Sequence, residues 1–264
     1  VSKKPRPPRP ERARRLILGA LRDFRADWKL YFKILAVVSV PFNLLTVLGF
    51  ASVDIQTLTY YGSFATVIMN VALLWAIIAS AKGERVTMPA AYYRGMGQLV
   101  SYILTTAALV CMLIPLALGV TLYSAAATPN TGTTPGEVAL VGVLSLIVAL
   151  PSLYLIVRYG LSLLLVMTDG LRPIAALRRA RLLTLGRFWP LTGRFLLLVV
   201  FLVILAIPAA LITTGLELLQ AQAWGIAFFQ VAITLTLLPL AYLYGLRLLR
   251  SLESDGPDTP GTPG

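Results

Sequence analysis

Histidine is absent from the 264 residues, cysteine occurs once, and Asp and Glu together number only 11. These shortages exclude a disulfide framework, a Cys/His nucleophile pair and the usual zinc ligand sets, so neither a metal nor any other cofactor is expected. Charge of either sign is scarce: 13% of the residues are charged, where an ordinary soluble domain carries about 25%. With 58% hydrophobic residues and a mean hydropathy of +0.81, the composition excludes a water-soluble globule. The lone Cys111 lies inside an apolar run, and such runs are what the chain has in abundance.

Six of them stand out, near 34–53, 63–81, 99–124, 138–157, 195–214 and 224–246. At about 1.5 Å per helical residue each is long enough for a hydrocarbon layer of about 30 Å. Lipid offers no partners to an open sheet edge, so the expected fold class is all-α, a polytopic bundle of six transmembrane helices. The first run follows a long basic segment and lacks the pattern of a cleaved secretory leader, so it is read as a retained helix. Residues 1–10 are expected to be a disordered basic N-terminus, 11–252 the six-span domain, and 253–264 a disordered Pro/Gly-rich tail.

The net charge of +12 would suggest nucleic acid in a soluble protein, but its distribution assigns it to membrane lipid. Lys and Arg fill the segment before the first run, the connections 82–98 and 158–194, and the stretch after the sixth run. Connections 54–62, 125–137 and 215–223 contain neither Lys nor Arg, only Asp54, Glu137 and Glu217. Cytoplasmic loops hold the excess of positive charge, which puts both termini on the cytoplasmic side and pairs the spans into three hairpins. The preference for Arg over Lys and the richness in Ala and Leu fit a bacterial plasma membrane.

Each hairpin is preceded by a segment with interfacial character. Ile17, Leu21, Phe24, Trp28 and Tyr31 recur at helical spacing, with Arg15, Arg22, Arg25 and Lys29 opposite. Such a basic amphipathic helix either lies among anionic headgroups, each cation contributing about 1 kcal/mol, or packs on its own bundle. Met88, Tyr92, Met96, Leu99 and Val100 form a second apolar face, with Pro89 in a first helical turn. A third helix is expected from about Asp169 and Gly170 to Gly186, with Pro173 in its first turn. There Arg178 and Arg181 fall within the arc of Ile174, Leu177, Leu185 and Phe188, so this segment contacts other helices rather than floating in the interface.

Prolines 41, 115, 151, 208 and 239 fall within the spans, where they shape packing or break helices around a midplane site. The polar candidates for such a site are Asn43, Asn70, Gln230 and, near the inner boundary, Arg158. Arg158 either snorkels to inner-leaflet phosphates or holds an anionic headgroup or substrate. The spans contain no carboxylate away from their ends and no base beside a hydroxyl, so catalysis is not expected.

From Arg158 the segment RYGLSLLLVMTDGLRPIAALRRARLLTLGRFWPL resembles a motif of the membrane domain attached to some bacterial glycerophosphoryl diester phosphodiesterases, and of related uncharacterised six-span bacterial membrane proteins. Arg158, Asp169, Gly170, Ala176, Leu177, Arg178, Arg179, Leu183, Thr184, Gly186, Phe188 and Trp189 stand in the motif positions. Asp169 replaces the usual Glu, and Ala180 the usual Ser. The resemblance implies a six-span membrane domain and no phosphodiesterase activity, since family members with that activity carry a separate catalytic domain after the sixth span. The expected function is therefore a non-catalytic scaffold or accessory subunit that engages anionic lipid and another membrane protein. Its contacts are assigned to Arg22, Arg25, Trp28, Arg158, Asp169, Arg178, Arg179 and Trp189. The alternative is a passive or lipid-handling transporter with a site near Asn43, Asn70 and Arg158.

Overall fold

A computed structural model describes residues 13–47, 55–128, 134–218 and 223–254, and among them all regular structure is helical. The helices are α1 (Ala13–Val47), α2 (Ile55–Ala81), α3 (Met88–Gly95), α4 (Leu99–Ala127), α5 (Pro135–Tyr159), α6 (Ser162–Asp169), α7 (Pro173–Thr184), α8 (Phe188–Leu218) and α9 (Ala223–Ser254). A short 3₁₀ turn, Met96–Gln98, joins α3 to α4. Among the described residues five stretches are long and apolar enough to cross a membrane: in α2, α3 with α4, α5 with α6, α8, and α9. The first expected span is helical as far as Val47, and its remainder lies outside the described residues, as do residues 1–10 and 255–264.

Local chemistry explains the helix boundaries. Thr134 and Glu137 form a capping box at the start of α5: the Thr134 N–H donates to Glu137 Oε2 at 2.8 Å and the Glu137 N–H to Thr134 Oγ1 at 3.4 Å. Pro89 and Pro173 occupy the first turns of α3 and α7, where a missing N–H costs nothing. Gly170 ends α6 in the left-handed conformation (φ 64°, ψ 25°), which glycine adopts without a Cβ penalty. Prolines 41, 115, 151, 208 and 239 all sit inside helices.

The chain divides into two compact units. The first comprises residues 1–100 and 193–264. Its core joins Leu16, Ala20, Tyr31, Ile34 and Leu35 of α1 to Leu73, Leu74 and Ile77 of α2 and Tyr244, Leu248 and Leu249 of α9, all nearly inaccessible. The basic amphipathic segment and the described part of the first expected span form one helix, which bends at Asp27 (φ −117°, ψ 17°) and packs along α9. Arg247 fastens this pairing, donating through Nε and Nη2 to the two carboxylate oxygens of Asp23 at 2.7 and 2.8 Å. Helix α3 packs on α2 through Ala91 and Gly95, and Tyr92 donates from its hydroxyl to the Ile34 carbonyl at 2.8 Å.

The second unit comprises residues 101–192. Helices α4 and α5 approach closely at Gly119, where a Cβ would fall 2.6 Å from the Ser145 carbonyl oxygen. One turn away along α4, the Leu116 N–H donates to Ser152 Oγ at 3.0 Å, joining the residues that follow Pro115 and Pro151. Helix α7 lays a small-residue face, Ala176, Ala180 and Thr184, against α5 and α6, all three buried.

In the amphipathic segments the large apolar residues mark the buried face only in part: Tyr31 is buried, but small residues take much of the rest. Leu16 and Ala20 are buried where Leu21 and Trp28 are exposed, and Ala91 and Gly95 where Met96 is exposed. On α7 Ala176 and Ala180 are buried while Ile174 stands exposed. Where lipid is the solvent, large apolar side chains gain little by leaving it, and small residues win the interface by letting backbones approach.

Candidate lipid and partner surfaces

In the first unit, α1 and α9 diverge enough to leave an open trough of about 600 Å³. Helix α1 contributes Leu21, Phe24, Arg25, Trp28 and Phe32, spaced along one flank. Helix α9 contributes Ala232, Leu235 and Thr236. Trp28 and Phe32 are half exposed to the trough. Arg22, Arg25, Lys29 and Lys33 are exposed and have no ion-pair partner among the described residues. Of the contacts assigned to this helix, Arg25 and Trp28 line the trough together, and Arg22 is exposed outside its lining. Asp23 is occupied by Arg247, so it does not neutralise them. Burial, reinforced by the nearby charge of Asp27, pushes the Tyr31 phenol above its ordinary range and keeps it neutral at the bend.

A smaller open cavity of about 200 Å³ lies further along α1, lined by Val38, Ser39, Phe42 and by Thr66 and Met69 of α2, with Val231 and Thr234 of α9 completing it. Ser39 donates to the Met69 sulfur at 3.5 Å and Thr66 to the Gly62 carbonyl at 2.7 Å. Asn70, next in sequence to Met69, has a buried amide oxygen with no hydrogen-bond donor among the described residues. The side chains of Asn43 and Gln230 lie outside the described residues.

In the second unit, Arg158 ends α5 half-buried in an aromatic setting. Its guanidinium donates to the Tyr154 hydroxyl and lies 5.5 Å from that ring's centroid. Tyr154 packs on Phe188 at 5.1 Å, and Phe188 meets Trp189 edge-on at 5.7 Å. Thr184 donates to the Arg181 carbonyl at 3.0 Å and reaches the Arg158 carbonyl at 3.5 Å, joining the end of α7 to the end of α5.

The motif residues divide by role. Asp169 and Arg179 pair with each other at 2.8 Å across the α6–α7 turn. Arg178 points outward, with Arg172 and Arg181, and none of the three has an ion-pair partner among the described residues. Trp189, Ile174 and Leu182 stand beside them, 80%, 75% and 65% exposed. This surface mixes unneutralised cations with large apolar groups, a combination suited to an anionic lipid interface or to a partner helix.

Sequence reasoning missed two features. The Asp23–Arg247 pair joins residues from opposite ends of the chain, and no local pattern marks it. Tyr154 precedes Arg158 by one helical turn, a spacing that would have shown the cation–ring contact. Among the described residues no group of three or more His, Cys, Asp and Glu side chains converges in a way that could hold a metal ion. Comparison with protein families, with characterised proteins and with solved structures finds no match to this chain.

Proposed function

We propose that this protein is a non-catalytic scaffold or accessory subunit of a bacterial plasma membrane, with six spans and both termini cytoplasmic. In this role it engages anionic lipid and docks another membrane protein. The observation that carries the reading is the outward, unneutralised presentation of Arg172, Arg178 and Arg181 beside exposed Ile174, Leu182 and Trp189 on and just after α7. A cation left free at a membrane surface is attracted to anionic headgroups, and exposed aromatic and aliphatic groups beside it supply the apolar part of a contact. The resemblance of the 158–191 segment to the membrane domain of the phosphodiesterase-linked family fits the same role.

The test is purification from native membranes in mild detergent, with mass spectrometry of what accompanies the chain. The expected result is a membrane protein at fixed stoichiometry, lost when Trp189→Ala and Ile174→Glu are combined, together with enrichment of anionic over zwitterionic phospholipid. A lone chain with no lipid preference would overturn the reading. Topology is checked in a Cys111→Ser background: Arg178→Cys is expected to react with an impermeant maleimide only after the cells are opened.

A second reading, passive or lipid-handling transport, is favoured by one observation, the unpaired buried amide oxygen of Asn70 one position from the cavity residue Met69. It calls for flux across proteoliposomes that falls in Asn70→Leu.

A further inference from the structure

We propose that the trough between α1 and α9 binds one acyl chain of an anionic phospholipid of the cytoplasmic leaflet, with the lipid phosphate at Arg25. This inference rests on the lipid-engaging reading above and gives it a specific site.

Three features select the occupant. The first is size. From Leu21 to Phe32 the α1 flank runs about 16 Å at the helical rise, of which about 10 Å lies beyond Arg25, roughly two-thirds of the depth of one leaflet of a hydrocarbon layer about 30 Å thick. The volume of about 600 Å³ lies inside the range of small-molecule sites. An α-helix about 10 Å across and of that length would occupy roughly 1,200 Å³, twice what the trough provides.

The second is polarity along the trough. Phe32, Trp28 and Leu235 give it an apolar floor, and Arg25 is the charged residue that lines it. Leu21 and Phe24 line the trough just before Arg25, and Trp28 and Phe32 follow it, so the cation lies about one turn in and the hydrocarbon-like surface continues from it into the bundle. That order matches a headgroup followed by its chain.

The third is charge. Arg22, Arg25 and Lys29 are spaced i, i+3, i+7 and therefore share a stripe, of which Arg25 reaches the trough. The acids nearest in sequence are Asp23, bound by Arg247, and Asp27 at the bend beside Tyr31. The stripe thus carries a net positive charge, complementary to a phosphodiester.

The experiment places the protein in nanodiscs of phosphatidylcholine containing phosphatidylglycerol, with one or the other lipid brominated on its acyl chains. Bromine quenches a tryptophan it touches, and the Trp28 signal is the difference between wild type and Trp28→Phe. Brominated phosphatidylglycerol is expected to quench Trp28 in preference to brominated phosphatidylcholine. Arg25→Gln is expected to reduce that preference about fivefold, the contribution of one cation at an anionic surface. Ala232→Phe, which fills the apolar end, is expected to abolish the quenching. If Ala232→Phe fails to fold, Arg25→Gln, an exposed change, carries the test alone. Equal quenching by the two lipids, or a preference unchanged in the variants, overturns the site. Total phosphatidylglycerol retained by the purified wild type separates the two readings. Retention without a Trp28 preference discards the trough and keeps the lipid role, whereas no retention discards both.

Discussion

Arg179 Nη1 lies 2.8 Å from Asp169 Oδ2, so the second turn of α7 is tied back to the last residue of α6 across the left-handed Gly170. The Arg179 side chain is 46% exposed and that of Asp169 28%, which leaves the pair well screened. Its contribution to stability is under about 1 kcal/mol. The backbone reversal rests instead on glycine, since an L side chain in that conformation costs about 1–2 kcal/mol. Thermal unfolding in detergent is therefore expected to show a small loss for Asp169→Asn and a larger one for Gly170→Val. The reverse order would mean that Asp169 serves more than the turn.

Two glycines in long helices are expected to behave oppositely. At Gly119 an added Cβ meets the Ser145 carbonyl oxygen at 2.6 Å, a backbone atom that cannot swing aside. Gly119→Ala should destabilise by about 1–3 kcal/mol through overpacking. At Gly193, inside α8, nothing lies within 4 Å of the added carbon. Gly193→Ala should gain about 0.5–1 kcal/mol from the lower backbone entropy of the unfolded chain. Urea or thermal unfolding of the two variants side by side checks both signs.

The helical class and the long apolar helices were legible in composition alone, because lipid leaves few other ways to satisfy a backbone. The starts of α3 and α7 were legible where Pro89 and Pro173 stand, although Asp169 and Gly170, expected to open α7, instead close α6. Periodicity marked the apolar stripes but left open whether they face lipid or the bundle. The structure leaves Leu21, Trp28 and Met96 exposed and buries Ala20, Ala91 and Gly95, small residues that a search for large apolar groups passes over. The Asp23–Arg247 pair was invisible because its partners are 224 residues apart.

The cap of α5 supplies a pH dependence. Glu137 accepts from the Thr134 N–H and orders the Thr134 hydroxyl, and these two bonds hold its carboxyl below the ordinary value of 4.5. A depressed carboxylate stabilises the folded helix end above the ordinary value, and that contribution is lost as pH falls through the folded value. Thr134→Ala removes the hydroxyl but leaves the backbone donor. Carboxyl NMR titration is therefore expected to show Glu137 moving part of the way up toward 4.5 in this variant, with the start of α5 fraying at a higher pH than in wild type. An unmoved titration would assign the depression to the backbone donor alone.

Ala180 tests whether α7 is positioned by its small-residue face. It is fully buried, one turn from Ala176 and one from Thr184. A serine hydroxyl at this position would reach a carbonyl one turn back, as Thr184 reaches that of Arg181 three residues before it, so the polar atom need not be orphaned. Ala180→Ser is thus expected to change the melting temperature little. Ala180→Leu adds three carbons to an interface closed by Ala176 and Thr184 and should cost about 1–3 kcal/mol. It should also lift α7 from α5 and α6, exposing its amides to faster hydrogen exchange. Full tolerance of leucine would mean that α7 is held by the Asp169–Arg179 turn and the aromatic cluster at Phe188, with the small residues merely filling space beneath it.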